Sequence, residues 1–359
     1  MKKLTLIVIL LLSIAVTPVT AQDDLTDVSV FLPFIPNIQF APMYVAIEKG
    51  YFEDAGLNVT LEYGSEPDGL ELIATGDLDY GVFGGEQVIL ARSGERPVVF
   101  IYEWYQRNPI AIVVPLEAGE ETIATPEALA ELTVGVPGRF GATYSSLTAL
   151  LAAAELTEAD IDLQEIGFNA PDVVCVGGVD AAAVYINNEP LQIRNRAEAG
   201  DCGDVADVDV IPVADFADLV SNGLVASEAK IADDPEQVQA FVTAFDRAMT
   251  DSVNNPAEAY MLSVPHIEGL PYENVDVFEA AAADAQNDAD ALRDALTPEE
   301  FLQFEVLLTT IPLWLAETPG ITDGDSWELT QRTLIDMGFQ SEPVELDTAF
   351  TNDFVPGLQ

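Results

Sequence analysis

The chain has 359 residues, 49% of them hydrophobic, and a formal net charge of −49 from 13 basic and 62 acidic side chains. That length exceeds one average domain, so two lobes with sizeable cores are expected. The charge excludes nucleic acid as a partner, because its affinity comes from neutralising phosphates with Lys and Arg.

Residues 1–21 read as an export signal: Lys2 and Lys3, an apolar run to Val16, then small residues ending at Ala21. The run is short for a membrane span, and the alternatives are cleavage or a retained anchor. Beyond it, the only lysines are Lys49 and Lys230. Such depletion suits a saline habitat, where counterions screen the chain's self-repulsion.

The apolar, β-branched run at 28–32 predicts a strand, which Pro33 and Pro36 stop. A helix follows, with Pro42 in its first turn and Gly50 at its end. Asn37, Gln39 and Phe40 thus fall in a loop at the carboxyl end of a strand, where open α/β sheets bind ligands; Tyr44 opens the helix behind them. Residues 58–63 read as a strand, 64–68 as a turn and 69–75 as a helix ended by Gly76. A short strand leads to Gly84 and Gly85, which permit close backbone approach. Glu86 then opens a helix, as a ligand acceptor or as a favourable charge at the helix start.

An apolar strand at 98–102 runs into Trp104 and Tyr105, which could stack on a flat ring or fill a core. Another strand at 110–114 precedes an expected crossover at 115–121. The segment 125–132 reads as a capped helix, 133–136 as a strand and 145–154 as an apolar helix. Arg139, between the last two, either holds an acidic ligand group or pairs with a surface carboxylate. Asn169 follows a strand at 162–166. Tyr185, Asn188 and Glu189 follow an alanine-rich buried strand, where polar groups need partners. Cys175 and Cys202 form either a disulfide, which export permits, or two buried thiols. The helical stripe of Val238, Phe241, Val242, Phe245 and Met249 is core packing. His266 has no partner motif and reads as a surface or packing residue.

Several stretches together resemble one family. YVAIEKGYFEDAGLNV at 44–59, the Asp-x-Gly strand at 79–81, the Val-Asp-Ala-Ala element at 179–182 and WELTQRTLIDMGF at 327–339 are similar to exported solute-binding proteins of ABC importers. The subgroup is the one for nitrate, sulfonates, taurine and thiamine pyrimidine precursors. The resemblance implies an α/β, type II periplasmic-binding-protein fold with a central cleft: lobe 1 from 28–115 and 213–352, lobe 2 from 116–212. It also implies a membrane permease as partner, a monomer, and a periplasmic or extracytoplasmic location. Its helix start near Arg139 implies backbone N–H groups that cap ligand atoms.

No nucleophile elbow, phosphate loop or zinc motif is present, and no cofactor or metal is expected. A related pyrimidine synthase would carry a cysteine-rich motif and a site histidine, which this chain lacks, so binding without turnover is expected. The inferred wall of Asn37, Gln39, Phe40, Tyr44, Glu86, Trp104, Tyr105, Asn169, Tyr185, Asn188 and Glu189 is aromatic, amide-rich and poor in cations. A sulfonate or nitrate would want several N–H or Arg donors, whereas a flat heterocycle wants rings and amides. The opening PNIQFAPMYVA at 36–46 resembles riboflavin-binding importer components, which favours riboflavin. The alternative is a thiamine pyrimidine precursor in a smaller pocket.

Overall fold

The computed structural model describes residues 25–120, 125–285 and 289–358; the export signal read at 1–21 lies outside the described residues. Two five-stranded sheets organise the rest. The first contains β1 (Thr26–Pro33), β2 (Leu57–Gly64), β3 (Tyr80–Gly84), β4 (Val98–Glu103) and, returning late in the chain, β10 (Asn222–Ser227). Its order is β2-β1-β3-β10-β4, with β10 antiparallel to both its neighbours. The second contains β5 (Ile110–Glu117), β6 (Thr133–Val136), β7 (Asp162–Glu165), β8 (Ala181–Tyr185) and β9 (Val205–Pro212). Its order, β7-β6-β8-β5-β9, repeats the plan with β5 as the antiparallel strand.

The central strands of both sheets are covered on both faces, as parallel strands require. In β1, Val28, Val30 and Leu32 enter one core and Phe31 the opposite one. In β5, Ile110, Ile112 and Val114 face one core while Val113 faces the other. This is the two-residue alternation of a strand acting on a wholly apolar run. The stripe from Val238 to Met249 lies on the Pro235–Asn254 helix and is buried in the first lobe's larger core. Cys175 and Cys202 are joined in a disulfide beneath the second sheet.

Three expectations need correction. The crossover expected at 115–121 occurs at 104–109, because Ile110–Glu117 pairs with β8 and β9 in the second sheet. An apolar run of that kind does not encode which sheet it joins. The boundary of lobe 1 therefore falls before residue 110, not after 115. Residues 64–68 are not all turn: Ser65 is the N-cap of the Glu66–Thr75 helix, with proline in its first turn. The segment 125–132 is reduced to a 3₁₀ turn at Pro126–Leu129, while the following helix starts early, at Gly141. No helix among the described residues is long and apolar enough to cross a membrane.

Candidate ligand-binding site

The carboxyl ends of β1 and β2 face those of β6 and β8, and the cleft between them is lined from both lobes. The first lobe supplies Phe34, Gln39, Phe40, Glu66, Tyr105 and Asn222. The second supplies Thr143, Phe168, Tyr185 and Glu189, beside Ala183 and Val184. Among the described residues, five aromatic rings thus share the wall and no Lys, Arg or His lines it. The space between is small, about 70 Å³. Phe34 and Phe168 close across it edge to face, ring centroids 4.7 Å apart. Phe34 has φ 88°, a left-handed conformation unusual for a bulky side chain.

Of the residues singled out from sequence, Gln39, Phe40, Tyr105, Tyr185 and Glu189 line the cleft. Five others sit behind it. The side chain of Asn37 caps the next turn, accepting from the N–H of Gln39 at 3.0 Å. Tyr44 is buried, its hydroxyl 3.1 Å from that of Tyr63. Trp104 is wholly buried against Phe40, Phe245 and Trp314. Asn188 is buried and donates to Glu189 Oε1 at 2.9 Å. Glu86 is buried at the start of the Gly85–Ser93 helix, accepting from Gln87 Nε2 at 3.2 Å. The remaining two lie outside. Asn169 is exposed at a helix start, and exposed Arg139 is paired with Glu158 and Glu165 at 2.9 and 2.8 Å. His266 also lies away from the cleft, stacked on Tyr44 with Nε2 2.9 Å from Glu48.

Five of these wall residues did not stand out in the sequence: Phe34, Glu66, Thr143, Phe168 and Asn222. Phe34 and Phe168 both follow strand ends, the same positional signal that selected Asn169. Glu66 was hidden in a stretch that reads as turn, although Ser-Glu-Pro is also a helix-start pattern. Asn222 comes from the strand that returns to the first sheet, and nothing local marks it.

The polar groups are held by second partners. Asn187 Nδ2 donates to Gln39 Oε1 at 2.7 Å and to Thr310 Oγ1 at 2.6 Å. Asn222 Nδ2 donates to the Tyr185 hydroxyl at 2.8 Å, which leaves that hydroxyl its own proton to give. Burial, followed by the charge of Glu66, keeps Tyr185 protonated by pushing its pKa far up. Glu189 accepts from the N–H of Tyr185 at 2.9 Å. Burial nevertheless outweighs its hydrogen bonds and raises it to about 7. Glu66 is raised by burial to about 7 as well. At neutral pH both carboxyls can therefore either accept or give a hydrogen bond, which suits the alternating edge of a heterocycle.

Two lobes of matching strand order around a cleft define the periplasmic-binding-protein class. The alkanesulfonate-binding protein SsuA from Xanthomonas axonopodis pv. citri superposes with a TM-score of 0.63, covering 91% of this chain and 98% of that one at 13% identity. The chain belongs to the NMT1/THI5-like family, whose match spans residues 37–259. It is similar to the riboflavin-binding protein RibY of Chloroflexus aurantiacus, 36% identical over 345 residues, 94% of this chain and 88% of that one. It is 33% identical over 244 residues to the formylaminopyrimidine-binding protein of Halalkalibacterium halodurans, covering 67% of this chain and 71% of that one. A 4-amino-5-hydroxymethyl-2-methylpyrimidine phosphate synthase of Aspergillus parasiticus is 28% identical over 253 residues, covering 68% and 72%.

Proposed function

We propose that this chain is the exported solute-binding component of an ABC importer, that its solute is riboflavin, and that it binds without turnover. The observation that carries this is the wall of five aromatic rings drawn from both lobes, with no cation among its described residues. A three-ring solute would stack on Tyr105, Phe40 or Phe168. Its imide edge, an N–H between two carbonyls, would meet Glu189, the Tyr185 hydroxyl and the Gln39 amide. The identity with a riboflavin-binding relative over nearly the whole chain supports the same solute. The solute would then be handed to a membrane permease when the lobes part.

The test is a titration of riboflavin fluorescence with the protein lacking residues 1–21. Saturable quenching is expected, since stacked phenol rings quench flavins. The change Tyr105→Ala should weaken binding by about 1–3 kcal/mol, the span for losing one stacked ring. Riboflavin recovered after incubation should be chemically unchanged, and any protein-dependent product would reject the binding-only reading.

A second reading has its own observation. The narrow space and the two facing carboxyls, Glu66 and Glu189, also suit a single aminopyrimidine ring. A formylamino- or hydroxymethyl-pyrimidine that raises the melting temperature, with no response to riboflavin, would select it.

A further inference from the structure

The Gly141–Ala153 helix aims its N-terminus across the cleft, and a carboxylate of the same chain already sits on it. Glu66, from the first turn of a helix in the other lobe, accepts from the N–H of Ala142 at 3.2 Å. Its other oxygen lies so close to Gly141 that a Cβ there would stand 1.5 Å from Oε2. Gly141 also has φ +72°, so both backbone conformation and space call for glycine at the contact. Glu66 lines the cleft together with Thr143 from the same helix. The nearby cation, Arg139, is turned away to Glu158 and Glu165.

We infer that Glu66 is a specificity residue: it occupies the place where an anionic solute would dock and so reserves the cleft for uncharged solutes over their phosphorylated or sulfonated analogues. The inference rests on the solute-capture reading but not on which heterocycle is captured. Unpaired N–H groups at a helix start attract anions. Here the Ala142 donor is taken. A second anion in the same low-dielectric space would meet the carboxyls of Glu66 and Glu189, both on the cleft wall and partly ionised at neutral pH, with no cation among the described lining residues to offset them. A neutral solute that brings N–H or O–H groups meets no such repulsion. The protein's own carboxyls already register the effect: burial and then the charge of Glu66 raise Glu86 to about 8.

The test compares riboflavin with riboflavin 5′-phosphate by fluorescence, and ethanesulfonate with nitrate by calorimetry. The proteins are the wild type, Glu66→Gln, Glu66→Ala and, as a charge control on exposed β2, Glu62→Gln. The wild type should bind the phosphate at least about 100-fold more weakly than riboflavin and give no heat with either small anion at about 10 mM. Glu66→Ala should narrow the flavin gap by about tenfold or more and gain anion heat, because the helix N–H groups are freed. Glu66→Gln should narrow it less, since the amide still fills the place. Glu62→Gln should change neither. A wild type that takes anionic and neutral probes alike overturns the inference, as do folded Glu66 variants with unaltered preference. If the wild type binds no flavin, the riboflavin reading fails, and the gain or absence of anion heat in Glu66→Ala still decides the role of Glu66.

Discussion

Glu86 offers the sharpest perturbation, because replacing its carboxyl with an amide of the same shape removes a titration and little else. Glu86 is 2% exposed, and burial, then repulsion from Glu66, lifts it from about 4.5 to about 8. The folded chain therefore holds a proton that the unfolded chain gives up near pH 4.5. Stability from this group is complete below that pH and is lost as pH climbs toward 8. At about 1.4 kcal/mol per unit, and with the slope flattening as the group itself titrates near pH 8, the rise from pH 6 to pH 8 should cost on the order of 2 kcal/mol. Glu66 and Glu189, raised to about 7, add to the same slope. On the acid side the sign reverses. Glu300 is opposed by burial but held down at about 2 by hydrogen bonds from Asn274, Thr297 and Glu273. Its contribution is lost as pH falls below the unfolded value. For these groups maximum stability should thus lie near roughly pH 4.5, where both sets of contributions are almost complete. Melting curves from pH 4 to 8.5 at constant ionic strength, for wild type and Glu86→Gln, measure this. The variant should lose less stability above pH 6. Parallel pH profiles for the two proteins would refute the assignment of a proton to buried Glu86.

Two further outcomes follow from charge and covalent structure. With a net charge of −49, the melting temperature should rise as salt goes from about 0.05 to 1 M, through screening; a flat profile would contradict it. Reducing Cys175–Cys202, separated by 27 residues, should lower stability by about 3–4 kcal/mol on the chain-entropy model, read from melts with and without reductant. An unchanged melting temperature with the thiols shown free would dismiss a stabilising role.

How far the cleft could be read from sequence depended on whether a residue's direction was fixed locally. Gln39 and Phe40 were legible because a proline-stopped strand places them at a sheet's carboxyl end. Tyr185 and Glu189 were legible because polar residues directly after an apolar strand must find partners. Trp104 and Tyr105 show the limit. They are neighbours in one segment and both are buried in the same core, yet only Tyr105 also reaches the cleft wall. Which of two adjacent rings faces out depends on how the crossover sits between the sheets, and that is a tertiary fact. The misplaced crossover has the same origin, since a strand buried on both faces reads alike in either lobe. Glu66 was lost to a genuine ambiguity: Ser, Pro, Asp and Gly serve turns and helix starts equally.

The lobes meet through contacts that a solute could replace. Phe34 meets Phe168, Gln39 meets Asn187 and Gln87 Nε2 meets Ser145 Oγ at 3.3 Å, each pair spanning the two lobes. With Phe34 and Phe168 in contact across the cleft, a three-ring solute would enter as the lobes part. The chain passes between the sheets at 104–109 and again at 213–221, and Asn222 ties both passages together. Its carbonyl accepts from the N–H groups of Trp104 and Tyr105 at 3.1 and 2.8 Å, while its side chain holds the Tyr185 hydroxyl. Tyr105 and Tyr185, the rings that would grip the solute, are therefore fastened to the segment about which the lobes would turn. The left-handed backbone of Phe34 costs on the order of 1–3 kcal/mol, which its contact with Phe168 helps offset. A solute shifts the balance toward closure only by what it gains in the closed cleft over the open one. Here that gain must come from ring contacts that substitute for Phe34 against Phe168, and from hydrogen bonds to groups already fixed in place.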